Sequence, residues 1–264
     1  MHLLNWLRQT ITFSYRSYLF AKRNLFFLFE LFFWPIIGVI SLGLMSRFLA
    51  LNQEMMSFIL TGIITMNVLQ ITQLDVSYSL FYDIWSKSVK HTFSTPISVS
   101  NVIIGGWLFG ILRGFVIYAI LTIISLYMFN FRIPTITTML IFLCGTFLSA
   151  LLVGICVCVL ILLFGQRAEA VAWALSPLLM LICGVYYPVT IFPPILQTVA
   201  YLIPLTYFLE YFRASYIVTT NNTTGTMLQR GFTLTIIYLL LFYFCLILVV
   251  RHARKTGLFL RLSE

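Results

Sequence analysis

Charged residues are scarce in this chain of 264 residues: they make up 9% of it, and only seven of them are acidic. Soluble domains carry about a quarter charged residues, so the composition excludes a soluble globular protein. The hydrophobic residues, 61% of the chain, form runs of roughly 20 residues or more, enough to cross a bilayer as a helix. These runs recur from end to end and predict a single membrane domain, residues 1–264.

Motifs of enzymes and of nucleotide-binding proteins are also missing. The three histidines lie far apart, and neither HExxH nor a nucleophile elbow occurs. The dipeptide Gly-Lys is absent, so the chain has no P-loop to hold a nucleoside triphosphate. The five cysteines fall within apolar runs and are predicted to serve packing. We therefore expect no enzyme, no metal site and no cofactor on this chain.

The apolar runs lack strict alternation, which favours helices over barrel strands and predicts an all-α fold. Six spans are expected, at residues 25–48, 57–80, 102–129, 136–164, 170–187 and 232–250.

Basic residues fall mostly on one side of these spans. With the N-terminus inside, the inner segments hold Arg8, Arg16, Lys22, Arg23, Lys87, Lys90, Arg167, Arg251, Arg254, Lys255 and Arg261, and the outer loops hold Arg47, Arg132, Arg213 and Arg230. The positive-inside rule then predicts that both termini are cytoplasmic. Because this bias and anionic lipid explain the net charge of +9, we infer no nucleic-acid partner.

The N-terminal segment, residues 1–23, is amphipathic rather than apolar. One helical stripe holds Leu4, Leu7, Ile11, Tyr15 and Tyr18, and a second holds Arg8, Thr12 and Arg16. This pattern predicts an interface helix that lies on the inner leaflet.

The inner loop at residues 81–100 mixes charged and apolar residues and then breaks at Pro96. Its spacing predicts a short amphipathic helix at the cytoplasmic face. Such a helix either lies on lipid or docks as a lever on a cytoplasmic partner. The residues that would carry the docking are Asp83, Trp85, Lys87, Lys90 and Phe93.

Three glycines of the third span, Gly106, Gly110 and Gly114, recur every four residues. Glycines at this spacing let helix backbones approach closely, so they are predicted to serve helix packing. The neighbouring helix belongs either to the same chain or to a second copy.

Apart from Arg47 at the outer end of the first span, three charged residues lie within the predicted spans: Glu30, Asp75 and Arg113. Unpaired charges in hydrocarbon cost several kcal/mol, so these side chains should face the protein interior, a wet cavity or one another. They form either a structural cluster, or a cytoplasmic vestibule for a polar substrate, or a proton relay in an ion-driven protein.

The stretch that follows the fifth span, residues 188–216, is interrupted by prolines and too broken to cross a bilayer. It predicts re-entrant half-helices at the outer end of a transport path, gated at Tyr186, Tyr187 and Pro188. Glu210 and Arg213 share one helix face, either as an ion pair at the interface or as part of this gate. The many aromatic residues nearby form an interfacial belt or a stacking surface for sugars or lipids.

Four segments taken in this order carry a family resemblance: LFFWPIIGVISLGLMSRFL, DIWSKSVKHTFSTPIS, FGQRAEAVAWAL and GVYYPVTIFPPILQTVAYLIPLTYFLEYFRA. Over nearly its full length the chain resembles the membrane subunit of the type-2 ABC exporters, which include O-antigen, teichoic-acid, nodulation-factor and drug exporters.

The resemblance implies a transport subunit of the bacterial cytoplasmic (inner) membrane that works as a homodimer with a P-loop ATPase, which holds ATP and Mg²⁺. It assigns residues 83–93 to the coupling helix and residues 188–216 to the half-helices that cap the exit. The expected cargo is a glycan, a lipid-linked compound or an amphipathic compound. The competing hypothesis is an ion-coupled transporter or channel that needs no ATPase and uses Glu30, Asp75 and Arg113 as coupling groups.

Overall fold

The structure is a computed structural model that describes residues 2–95, 97–215 and 223–256. Within these ranges the chain forms helices and no strand, which confirms the all-α class. The helices are α1 (His2–Arg23), α2 (Leu25–Phe48), α3 (Gln53–Trp85), α4 (Val89–Ser94), α5 (Val99–Phe129), α6 (Ile136–Phe164), α7 (Glu169–Ile182), α8 (Pro194–Leu202), α9 (Pro204–Ala214) and α10 (Thr223–Lys255). Outside the described residues lie Pro96, Tyr216 and Arg261, and the side chains of Glu30, Lys90 and Phe93.

Five segments of the described chain are long and apolar enough to cross a membrane, or six if the bent pair of α8 and α9 is one span. One of the five, Ile136–Ile182, contains both α6 and α7. Two of the expected spans, 25–48 and 136–164, coincide with α2 and α6. Helix α3 is longer than expected: its 33 residues reach about 50 Å, so it extends beyond the hydrocarbon. It can therefore carry side chains from the bilayer into the aqueous layer.

Helix α3 is the centre of the bundle and packs against both α5 and α6. In its apolar segment 67% of the residues are buried, compared with 11% in that of α10. The amphipathic helix α1 lies along α5, with its side chains Thr10, Phe13, Ser17 and Ala21 buried at helical spacing. The apolar stripe predicted from the sequence points away from the protein, with Leu4 and Ile11 each more than half exposed.

The chain reverses direction between α6 and α7. Gly165 has a φ of +64°, which glycine adopts without steric cost. Near the start of α7, Ala172 O accepts a hydrogen bond from Gln73 Nε2 at 2.9 Å, and just beyond its end Val185 lies against Gly62. Because the contact moves from residue 73 to residue 62, α7 runs antiparallel to α3.

Helix α7 ends at Ile182, earlier than the expected span end at residue 187. The physical reason is a left-handed residue, Gly184, whose φ of +65° stops the helix. The chain continues through a 3₁₀ turn at Val189–Ile191 into α8 and α9, which meet at 95°. Ile203, extended because it precedes Pro204, makes this bend.

Candidate functional site

Near the C-terminal end of α3, Asp83 joins three helices. Its carboxylate Oδ1 accepts hydrogen bonds from Arg16 Nη1 of α1 at 2.8 Å and from Thr92 Oγ1 of α4 at 3.2 Å. Ser88, which precedes α4, donates to the same oxygen at 3.1 Å. Arg16 also donates to Ser79 O at 2.7 Å. Asp83 is buried, so it links α1 and α4 to α3 rather than facing solvent.

The exposed residues at this end of α3 are Trp85 and Lys87. Trp85 is 44% exposed and stacks on Phe81, with ring centroids 5.5 Å apart. Lys87 is exposed in the corner between α3 and α4, with a φ of +53°. The structure therefore presents these two predicted docking residues on a surface and keeps Asp83 beneath them.

In the middle of the bundle, Asp75 of α3 and Arg113 of α5 form an ion pair. Both side chains are largely buried, 2% and 11% exposed, and the Arg113 guanidinium lies 4.1 Å from the centre of the Phe27 ring. The third predicted member, Glu30, lies in α2 with its side chain outside the described part. The pair gives each charge a partner within the low-dielectric interior, where an unpaired charge is costly.

The three glycines lie at the contact of α5 with its neighbours in the same chain. A Cβ added at Gly106 would come within 2.8 Å of Asp75 O, and one at Gly110 within 3.0 Å of Thr72 O. At Gly114 it would meet Thr72 Oγ1 at 2.6 Å. The glycines thus let the α5 backbone lie against α3, which brings Arg113 within reach of Asp75.

Replacing Gly106 by alanine should destabilise this helix pair. Overpacking a tight contact costs about 1–3 kcal/mol, and each kcal/mol lowers the Tm by about 2–4 °C in a chain of this size. The measurement is thermal unfolding in mild detergent. Gly225→Ala is the matched control, because the Cβ added to this helical glycine has no neighbour within 4 Å. Equal Tm values for the two variants would contradict the close approach.

A cavity of about 320 Å³ opens between α2, α3, α5 and α7. Its polar lining comes from Asn67, Gln70 and Arg113, and its aromatic lining from Phe27, Trp34, Tyr78 and Trp173. The sequence interpretation missed the two amides. Their signal was the spacing of Asn67, Gln70, Leu74 and Tyr78, which places amides and an aromatic ring on one face of α3.

At the opposite end of the molecule from Asp83, Arg213 of α9 holds the turn after α7. Its guanidinium donates to Gly184 O at 2.8 Å and to Val185 O, and it lies 3.6 Å from the centre of the Phe58 ring. Glu210 is its ion-pair partner at 3.6 Å. Only 1% of the Arg213 side chain is exposed, so it stands at the centre of this region.

The three residues predicted as a gate lie in the segment that Arg213 holds. Tyr187 donates from its hydroxyl to Leu181 O at 3.1 Å, and its ring meets Phe192 edge-on at 5.2 Å. Tyr186 packs against the buried core, and Pro188 precedes the 3₁₀ turn.

Among the described residues no group of three His, Cys, Asp or Glu could hold a metal ion.

A helical bundle with several apolar spans, a cavity among them and an amphipathic helix at one end defines a multi-pass membrane protein. The family model of the ABC-2 type transporters matches residues 8–217, so the chain belongs to this family and is a permease subunit. This confirms the resemblance found in the sequence. Membership implies an ABC ATPase as partner and a transport role rather than a catalytic one.

Individual relatives are more distant. The chain is 26% identical to the inner membrane transport permease YadH of Escherichia coli (strain K12) over 189 residues, which are 71% of this chain and 72% of that permease. The YadH permease of Shigella flexneri is equally similar. An uncharacterized protein of Archaeoglobus fulgidus is 40% identical over 48 residues, which are 18% of this chain and 75% of that protein.

Proposed function

We propose that the chain is the membrane subunit of an ATP-driven exporter in the bacterial cytoplasmic membrane, and that a separate P-loop ATPase holds ATP and Mg²⁺. The observation that carries the proposal is the connection of α4 to α1 through Asp83 and Arg16. In a member of the ABC-2 family, this connection gives the ATPase a lever that acts on two helices at once.

The proposed topology has six crossings, with both termini in the cytoplasm. Helix α6 runs parallel to α3, since Leu69 shares a cavity with Ser149 and Val76 packs on Gly154. Helix α7 runs the opposite way and is a crossing of its own, so α8 and α9 enter and leave on the outer side. This arrangement places most basic residues inside, as the positive-inside rule requires. It also places the exposed apolar stripe of α1 on the inner leaflet.

For transmission we propose two separate roles at the inner end. Trp85 and Lys87 form the surface that docks on the ATPase, and Lys90 and Phe93, whose side chains lie outside the described part, are proposed to take part in the docking. Asp83 lies beneath that surface, where its bonds to Arg16 and Thr92 transmit movement of α4 to α1. Closure of two ATPase subunits would then displace the interface helix together with α3.

The cavity supports a homodimer as the working unit. The cavity opens beside α2. Only 28% of the residues in the apolar segment of α2 are buried, and Trp34, which lines the cavity, is 63% exposed. A second copy would cover this aromatic face and enclose the polar groups of both cavities between the two chains. Native mass spectrometry in mild detergent should therefore find two copies; a chain that stays monomeric with the ATPase bound would contradict the dimer.

The lining of the cavity supports an amphipathic, glycan or lipid-linked cargo. Amides at Asn67 and Gln70 hydrogen-bond hydroxyl or carbonyl groups, while the rings of Tyr78 and Trp173 offer surfaces for sugar faces or apolar chains. A cargo with polar and apolar parts would find partners for both.

The experiment that tests the exporter is purification of the full chain from its native membrane in mild detergent, with mass spectrometry of the proteins that accompany it. We expect a P-loop ATPase in stoichiometric amount. Recovery of an oligomer of this chain alone, after gentle crosslinking, would overturn the exporter and favour the ion-coupled alternative.

Lys87→Glu should weaken the retention of that ATPase about tenfold or more. Like charges placed across an interface cost several kcal/mol, and 1.4 kcal/mol is a factor of ten. The control is Lys255→Glu, which reverses an exposed charge near the end of α10. Retention is measured as the ratio of ATPase to permease after purification. Equal retention by the two variants would remove Lys87 from the docking surface.

Asp83→Asn, unlike Lys87→Glu, should leave retention of the ATPase unchanged. Movement of the bound ATPase should no longer reach α1. The asparagine fits the site and loses the ion pair with Arg16. We expect the ATP-dependent change in hydrogen exchange of α1 to be largely lost, and the same result for Arg16→Gln. Loss of ATPase retention instead would make Asp83 part of the docking surface, as first expected from the sequence.

A further inference from the structure

A groove of about 670 Å³ lies at the inner end of the bundle, where α5 begins and α10 ends. Two arginines, Arg251 and Arg254, line it from α10 at a spacing of three residues, which puts them on one helix face. Ser98, the N-cap of α5, and Ser100 line the groove from the other side, and Ser100 Oγ donates to Tyr243 OH at 3.4 Å. The groove therefore offers two cations on its α10 side and hydroxyl groups on its α5 side.

A second, apolar crevice of about 230 Å³ continues from this groove towards the bilayer centre. The two share Ser100, Tyr243 and Leu246. Beyond these residues the crevice is lined by Ile103, Ile155 and other aliphatic side chains of α5, α6 and α10. The combined shape is polar at the membrane surface and apolar below it, which matches one amphipathic molecule lying parallel to the helices.

The positive charge of the groove indicates that the headgroup of that molecule is anionic. None of the four ion pairs between described residues involves Arg251 or Arg254, and both side chains are exposed. Two adjacent cations repel one another unless an anion lies between them. The backbone N–H groups at the start of α5, a helix of 31 residues, add to the positive potential.

We propose that this groove binds an anionic phospholipid, with the phosphate at Arg251 and Arg254 and one acyl chain in the crevice. Basic pockets between spans on the cytoplasmic side are suited to acidic lipid headgroups. The proposal depends on the proposed topology only for the leaflet that supplies the lipid, and it requires no ATPase.

The test is native mass spectrometry of the full chain in nanodiscs that contain equal amounts of phosphatidylglycerol and phosphatidylcholine. We expect retained phosphatidylglycerol on the wild type and at least about tenfold less on Arg251→Gln with Arg254→Gln. Leu240→Trp, which fills the crevice from an exposed position, should reduce retention of the same lipid without touching the arginines.

The matched control is Arg167→Gln with Lys255→Gln, which removes the same charge from exposed positions proposed to face the same side. Equal loss of lipid from this control would overturn the site, since general attraction to the surface would explain the retention. Displacement of phosphatidylglycerol by millimolar inorganic phosphate, with no effect of Leu240→Trp, would overturn the lipid and leave a free-anion site. Retention of both lipids in equal amounts would overturn the selectivity for anionic headgroups.

Discussion

Replacing Arg213 by methionine should lower the free energy of unfolding by about 3–5 kcal/mol, the cost of removing one member of a buried charged network. The side chain is almost fully buried, and its guanidinium donates to two backbone carbonyls of the turn after α7, Gly184 O and Val185 O. Methionine has a similar shape and no donor, so these carbonyls and Glu210 would lose their charged partner. Each buried polar group left unpaired costs about 1–3 kcal/mol.

The measurement is thermal unfolding in mild detergent, together with hydrogen exchange over residues 184–192. Arg132→Met is the matched control: Arg132 is 53% exposed and its nearest acid, Glu54, is 3.9 Å away, so we expect a loss below about 1 kcal/mol. Arg213→Lys should fall between the two, because an ammonium keeps the charge without the flat fork that binds two carbonyls. An Arg213→Met protein as stable as the control would contradict the assigned role.

The same variant separates the two ends of α3. Arg213 holds the turn after α7, whereas the proposed docking surface around Lys87 is at the other end of α3. We therefore expect Arg213→Met to retain its ATPase while hydrogen exchange rises over residues 184–192. Lys87→Glu should do the reverse: it should lose the ATPase and leave residues 184–192 as protected as in the wild type.

The limits of α2 and α6 could be predicted from the sequence because one local signal decides them. Each is a predominantly apolar run with a capping residue at one limit, the N-cap Asn24 before α2 and the C-cap Gly165 after α6. The end of α7 could not be predicted in this way. Tyr186 and Tyr187 are apolar enough to continue a span, and the turn at Gly184 is held by Arg213, 29 residues further along the chain.

The site was predictable to the same extent. The charges of Asp75 and Arg113 are exceptions in apolar spans, and the rule that such charges face the interior, a cavity or one another predicts their pairing as one alternative. The sequence places Asp83 at the surface because it lies in a loop that also holds Lys87 and Lys90. Its burial depends on Arg16, 67 residues away on α1, and periodicity within one segment carries no information about such a partner.

The cavity lining was less easily predicted than the Asp75–Arg113 pair, but more easily than the burial of Asp83. Asn67 and Gln70 are polar residues in the middle of an apolar helix, so they were visible in the sequence as residues that must face protein or water. Uncharged amides are a weaker signal than the charge of Asp75, but they too must face protein or water inside a membrane. Applied to every polar residue of the spans and not to charges alone, this rule predicts this face of α3.

The second large effect concerns the ion pair between α3 and α5. Arg113→Gln should lower the free energy of unfolding by about 3–5 kcal/mol, because it leaves the Asp75 carboxylate buried without a counter-charge. The double variant Asp75→Asn with Arg113→Gln should recover most of this loss, since two amides can hydrogen-bond at the same place and neither has to be charged. Arg230→Gln, at an exposed position of α10, is the control.

The double variant also decides between the two modes of transport. If the pair is structural, its removal leaves the ATPase bound and leaves the ATP-dependent change in hydrogen exchange of α1 intact. If Asp75 couples transport to protons, proteoliposomes of the wild type should take up protons along an imposed gradient, measured with an enclosed pH dye, and the double variant should not. Because the double variant is expected to fold, loss of proton uptake at an unchanged Tm would overturn the ATP-driven exporter, whereas absence of uptake in the wild type would exclude proton coupling through Asp75.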